Sequence, residues 1–489
     1  MNKKKEIKKG VLILVFYTTV YCLLSMFDVE KPYVYFSACV YIQFLYTYWG
    51  WKTLTKSWID SYMVFTIALY VFTLGHAFLD PFDAVSEGFN FITSYGIKPY
   101  QYLEAEYISL FFLLSFHFGA IIGLRINKNV KNRLRRICEV IALKKVGLYC
   151  LIFSLPFYIY NIINKIKIIL QSGYMGLYDE ANIKYGGFAA FARLVSDLYV
   201  PSIICILVYA EITKKYRLPL YLLAFVTVCI PPFFLGSRTN AVIMVGIIFL
   251  IYYFYNTITR KQVVIFVSVV YMLLLSLIFI RYSRQMQDVN DTAEVVESIN
   301  NKGDSNPITS MISEMGWSLY PVIKTIEIKE EPNEHFLYGT SILWGMTSVF
   351  PNLFWDIHPA KMYADMSDWI TKKLRFSYGI GYSLVAEAYA NFGFLGFIFL
   401  FFVSVLFMKL FNYSTLMNKS NLILQVCSLI FLWFVIRIVR NNFMDTFRSL
   451  VFFVLPFFFM IKYYANRYKK TLLIKNRRKR INKAIRQFT

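Results

Sequence analysis

Charge is scarce in this chain. Of its 489 residues, 17% are charged, against 57% hydrophobic and 19% aromatic. That balance excludes a soluble domain of this size, which would need far more polar surface. Histidine is also scarce. His76, His117, His335 and His358 are the only four, and none has metal-ligand spacing. The seven cysteines form no paired pattern, so neither a disulfide framework nor a zinc site is indicated. There is no internal repeat, no Walker or Rossmann glycine pattern and no nucleic-acid-binding motif. Acids are outnumbered: 29 Asp and Glu face 52 Lys and Arg, a formal net charge of +23. In so apolar a chain that excess follows the rule for cytoplasmic loops and the anionic inner leaflet, not a nucleic-acid partner.

What is abundant is long apolar runs. Stretches of about 17 to 25 residues, enough to cross a bilayer, recur along the length. The chain is therefore expected to be all-α and polytopic, a single integral membrane domain over 1–489. About twelve transmembrane helices are read at 11–27, 33–50, 61–78, 106–124, 147–163, 191–211, 219–235, 239–257, 263–281, 381–409, 421–437 and 449–464. The basic start "MNKKKEIKKG" precedes an apolar run with no small-x-small cleavage site, so it reads as an uncleaved first helix. Lys and Arg fall on alternate loops, and the tail 465–489 carries "RRKR"; this puts both termini in the cytoplasm. One long extracytoplasmic loop, 282–380, then precedes the tenth helix. "FLYGTSILWGMTSVFPNLFW" within it has Gly339, Gly345 and Pro351, so it is expected to lie at the interface or re-enter.

Two apolar runs meet at "GSRTN", which puts Arg238 at the outer surface, at the mouth of the eighth span. Ser237, Thr239 or Asn240 can cap that helix, and its N-terminus already carries positive potential. A phosphate or carboxylate would satisfy both positive elements. Snorkelling to the interface is the other reading. Arg281 and Arg284 in "FIRYSRQMQ", and Arg437 and Arg440 in "RIVRNNFMDTFRSL", lie on the same face; a set of arginines there suits a diphosphate. Glu387 in "YGIGYSLVAEAYANFGFLG" stands inside an apolar run, with Asn391 four residues on along one face. It is a candidate general base or one half of a Glu–Arg structural pair. Glu314 in "SEMGW" is a second candidate carboxylate. "DPFD", Asp80 to Asp83, has two acids that could bind a divalent ion, but such spacing is common in ordinary loops, and no metal is expected there.

The stretches "FLGSRTNAVI", "SEMGWSLYPVI" and "GIGYSLVAEAYANFGFLG" resemble the Wzy-type oligosaccharide repeat-unit polymerases of bacterial O-antigen and capsule assembly. The resemblance extends over essentially the whole chain. It implies a glycosyltransferase of the bacterial cytoplasmic membrane that works without a metal or other cofactor. Its substrate would be an oligosaccharide carried on undecaprenyl diphosphate, its surroundings membrane lipids, and a separate chain-length regulator a candidate partner. An acceptor sugar hydroxyl would displace the lipid diphosphate, with Arg238 matching the family's outer arginine and Glu387 its acidic residue. A related glycan ligase shares this architecture. A transporter for the same lipid-linked sugar is the alternative from another class; the absence of a repeat and the placing of charge at the rim speak against it.

Overall fold

The computed structural model describes residues 3–125, 133–172, 176, 187–231, 235, 238–264, 266–268, 271–272, 306–350, 357–376, 379–415 and 421–488. Every regular element among these is helical. The chain divides into two compact units. The first combines Met1–Ile126, Ile258–Met417 and Leu432–Ser449; the second combines Asn127–Thr257, Asn418–Phe431 and Leu450–Thr489.

Seven described helices are long and apolar enough to cross a membrane: Lys3–Met26, Pro99–Gly123, Leu134–Gln171, Phe191–Thr213, Leu384–Ser414, Leu422–Val439 and Phe443–Ile474. Ser61–Leu74 and His76–Phe82, bent by 87°, make an eighth if taken as one crossing. Helices also stand at the other expected positions, with one exception. The run 33–50 lies in Pro32–Thr55, whose buried Gln43 donates to Tyr70 Oη at 2.9 Å and to the Leu110 carbonyl at 2.8 Å. The runs 219–235 and 239–257 appear as the shorter apolar helices Arg217–Cys229 and Asn240–Tyr255. Most of 263–281 lies outside the described residues.

In the first unit, the expected tenth span is broken. Leu384–Phe392 ends at Gly393, whose φ of +54° suits glycine, and Gly396–Phe411 continues beyond a single 3-10 turn. The Phe336 ring packs where a Gly393 Cβ would stand, 2.8 Å away at its nearest atom. The described part of the expected long loop is folded. Pro307–Gly316 packs against Ser61–Leu74, and Ser313 O lies 2.8 Å from His76 Nε2. Thr340–Thr347 is a helix of eight residues that buries Ser341, Ile342 and Gly345 and leaves Leu343, Trp344 and Met346 exposed. An eight-residue helix spans about 12 Å, too short to cross a bilayer.

The second unit is tied at one end by a buried carboxylate. Glu211 is fully buried and accepts from Arg217 Nε at 2.8 Å, Arg217 Nη2 at 2.7 Å, Tyr221 Oη at 2.9 Å and Asn256 Nδ2 at 2.8 Å. These bonds fasten the end of Tyr199–Thr213 to Arg217–Ala224 and to the residue after Arg238–Tyr255. Glu211→Ala should therefore destabilise the protein by about 3 kcal/mol, the low end for a broken buried pair, because the Arg217 side chain keeps 31% exposure. A thermal melt in detergent reads this as a lower midpoint. A melt identical to wild type would mean that water replaces the carboxylate without loss.

Candidate functional site

Ser383 caps the Leu384–Phe392 helix, its side chain accepting from Ala386 N at 3.1 Å. That start puts Glu387 in the first turn, turned inward and fully buried. Both its oxygens are engaged. Oε1 accepts from Ser341 Oγ at 3.0 Å, and Oε2 accepts from Phe443 N at 2.7 Å. Phe443 opens the Phe443–Ser449 helix, so the carboxylate meets the free N–H end of another element. The charged neighbours that act on Glu387 are Asp445 and Asp365, both acidic. Among the described residues, a hydroxyl and a backbone amide hold the carboxylate, where one of the two readings of the sequence had an arginine.

Asn391, one turn on, completes the seam. Its Nδ2 donates to Ser341 Oγ and to the Glu387 carbonyl, each at 2.8 Å, and its Oδ1 accepts from Gly339 N at 3.0 Å. Leu337 N donates to Ala390 O and Tyr338 N to Asn391 O, at 3.0 and 2.8 Å. Residues 337–341 are therefore laced along one face of the helix that carries Glu387.

The arginine turn is held from the same helix. After Leu422–Val435 the chain tightens into a 3-10 turn, Ile436–Val439. Arg440 O accepts from Tyr382 N at 3.1 Å. Gly381, at φ +76°, lies against it: a Cβ there would stand 3.0 Å from Arg440 O and 3.3 Å from its Cγ. Asn442 Nδ2 donates to Asp365 Oδ1 at 2.9 Å. Arg437 is half-buried, its guanidinium 5.1 Å from the Trp433 ring centre and 5.7 Å from that of Phe434. Tyr382 is fully buried, its phenol 2.9 Å from Thr325 Oγ1. The result is a short turn carrying two arginines, held at Arg440 O by Tyr382 N and, three residues on, at Phe443 N by Glu387.

Residues 10–471 match the family model of the O-antigen polysaccharide polymerase Wzy. The chain belongs to that family. No curated protein and no solved structure matches it. Membership in the Wzy family makes it a multi-pass protein of the bacterial inner membrane, a glycosyltransferase-like polymerase of O-antigen repeat units that acts on lipid-linked oligosaccharides.

Of the other residues singled out in this Wzy-family chain, those described stand on other elements. Arg238 is the first residue of the Arg238–Tyr255 helix, in the second unit; its side chain, Ser237, Arg281 and Arg284 lie outside the described residues. Glu314 is half-buried on Pro307–Gly316. His117 is packed inside, with Nδ1 2.7 Å from Tyr62 Oη. Among the described residues no three His, Cys, Asp or Glu side chains gather as a metal site. Asp80 of "DPFD" accepts from Tyr102 Oη at 2.6 Å. One turn on from Tyr102, Glu106 is fully buried with neither oxygen hydrogen-bonded. Its neighbour's single hydroxyl proton is already given to Asp80. Its place at the edge of the apolar run 106–124 is the sequence signal that could have found Glu106.

The seam gives a sharp expectation for Glu387. In Glu387→Gln the amide oxygen can accept from Phe443 N while its NH2 donates to Ser341 Oγ, so the pin survives with a weaker bond. Polymer yield should stay within about tenfold of wild type. Glu387→Ala, which removes both acceptors, should lose about a hundredfold or more. A folded Glu387→Gln protein that makes no polymer would instead require the carboxylate as a base.

Proposed function

We propose that the enzyme joins undecaprenyl-diphosphate-linked units at the outer face of the cytoplasmic membrane. An acceptor sugar hydroxyl attacks the reducing-end carbon of the growing chain. The new C–O bond forms as the bond to the lipid diphosphate breaks, and the hydroxyl proton passes to a carboxylate. The observation that carries this reading is the arginine turn: Arg437 and Arg440 on one short segment, held by Tyr382 N at 3.1 Å and by Glu387 through Phe443 N at 2.7 Å. Guanidinium groups offset the charge that develops on a diphosphate leaving group, as a metal would elsewhere, so the reaction is proposed to run without a metal. Glu387, fully buried with both oxygens engaged, fits a positioning role. Glu314, half-buried on a loop helix, is the proposed proton acceptor. Arg238, at the start of its own helix, is proposed as a separate anion contact, and Arg281 and Arg284 as further ones.

The charge pattern supports about twelve crossings within one integral membrane domain, with both termini cytoplasmic and 282–380 outside. A chain-length regulator is a proposed partner.

The test is polymerisation of purified lipid-linked units by the protein in detergent, without an ion gradient and with EDTA present. Long polymer is expected. Arg437→Lys and Arg440→Lys should each lose about tenfold or more, since a point charge does not replace a bidentate fork, and Glu314→Gln about a hundredfold. Units that remain single with wild-type protein would remove the polymerase mechanism. Full activity in both lysine variants would remove the diphosphate role of these arginines.

A further inference from the structure

A cavity of about 380 Å³ lies within the first unit between Lys3–Met26, Pro99–Gly123 and Gly396–Phe411. Its walls include Leu14, Phe111, Phe118, Phe397, Phe401 and Phe402. The one hydroxyl at the wall, Ser115, is spent: it donates to Phe397 O at 2.7 Å. Water would find no partner in such a space. The three helices all belong to segments apolar enough to cross a membrane. Ile398 at the wall is 43% exposed and Phe402 59%, with Leu12 and Val15 exposed on the neighbouring helix. The cavity therefore opens toward surroundings of hydrocarbon, and only a hydrocarbon chain can fill it.

Its position selects which chain. Phe397 to Phe402 belong to the same apolar segment, Leu384–Ser414, whose start carries Glu387 and Asn391. Gly396, next to Phe397 of the wall, lies against the helix that carries Glu387: a Cβ there would stand 2.6 Å from Ala388 O. A lipid whose phosphates meet the arginine turn would lay its tail along this segment. The walls are mostly aromatic rings, flat and stiff. A saturated acyl chain must give up more rotational freedom to lie ordered against them than an isoprenoid, whose double bonds already fix part of its shape. We propose that this cavity binds an isoprenoid stretch of the lipid carrier's tail. This rests on the lipid-diphosphate reading above and adds the place where the tail is held.

The experiment uses the full-length protein in detergent and a polyprenyl monophosphate carrying a photoactivated diazirine in its tail. Crosslinks are expected in the peptides bearing Phe111 to Phe118 and Phe397 to Phe402. Unlabelled polyprenyl monophosphate should suppress them, and phosphatidylglycerol should not. Leu14→Trp and Ile398→Trp, at two independent wall positions beside the opening, should each cut labelling about tenfold while the melting midpoint holds. Equal suppression by phosphatidylglycerol would make this a seat for ordinary membrane lipid and overturn the proposal. So would labelling in other peptides, or full labelling in both folded tryptophan variants. A protein labelled here that builds no polymer keeps this site and loses the polymerase mechanism; one that builds polymer with its label elsewhere does the reverse.

Discussion

A carboxylate buried in hydrocarbon must be answered from within the chain, because no water is there to do it. The architecture around the site follows from that demand. Among the described residues Glu387 has no cationic partner; it accepts from a hydroxyl of Ser341 and a backbone amide of Phe443. Those donors come from a loop helix and from the start of a later helix. One side chain therefore binds three stretches of sequence into a single seam, and removing it releases two donors that nothing else can satisfy. Glu211 does the same in the second unit, with Arg217, Tyr221 and Asn256 as its answers.

The seam has a consequence for the arginines. A guanidinium that is to meet a diphosphate must be placed before the ligand arrives, or binding energy is spent on ordering it. Arg437 and Arg440 lie on a four-residue 3-10 turn and the residue after it, and the chain is held just there, at Arg440 O by Tyr382 N and three residues on, at Phe443 N, by Glu387. Gly381 lets the backbone lie against Arg440 where any Cβ would stand 3.0 Å from its carbonyl oxygen. Of the glycines before Glu387, Gly381 is thus explained by close backbone contact with an arginine, whereas Gly379 meets nothing within 4 Å.

Much of this could be read from the residues alone, for identifiable reasons. Glu387 and Asn391 stood out because polar groups in an apolar run are rare, and the structure brings them together on one seam. The helix start at Arg238 followed from capping residues beside an apolar run. The partners of Glu387 were not legible: Ser341 and Phe443 lie 46 and 56 residues away, and neither is charged. An arginine was the natural guess because charge pairs are visible in sequence and backbone amides are not. Among the described residues fewer than twelve helices are long enough to cross, because window hydropathy registers apolar content, not the length of unbroken helix. Ser61–Leu74 bends by 87° into His76–Phe82, and the runs around Arg217 and Asn240 form helices shorter than a full crossing. Glu106 is a buried acid the sequence did not single out, because it stands at the very edge of its apolar run while its helix begins earlier, at Pro99.

The central claim is that Glu387 serves the reaction through the arginine turn and not by taking a proton. A double-mutant cycle on polymerisation rate in detergent tests it most directly, with Glu387→Ala, Arg440→Ala and the two combined. If the carboxylate acts by holding the turn, the double variant will be no slower than the slower single one. Losses that multiply, each substitution costing its full factor in the presence of the other, would contradict the account and return Glu387 to independent chemistry.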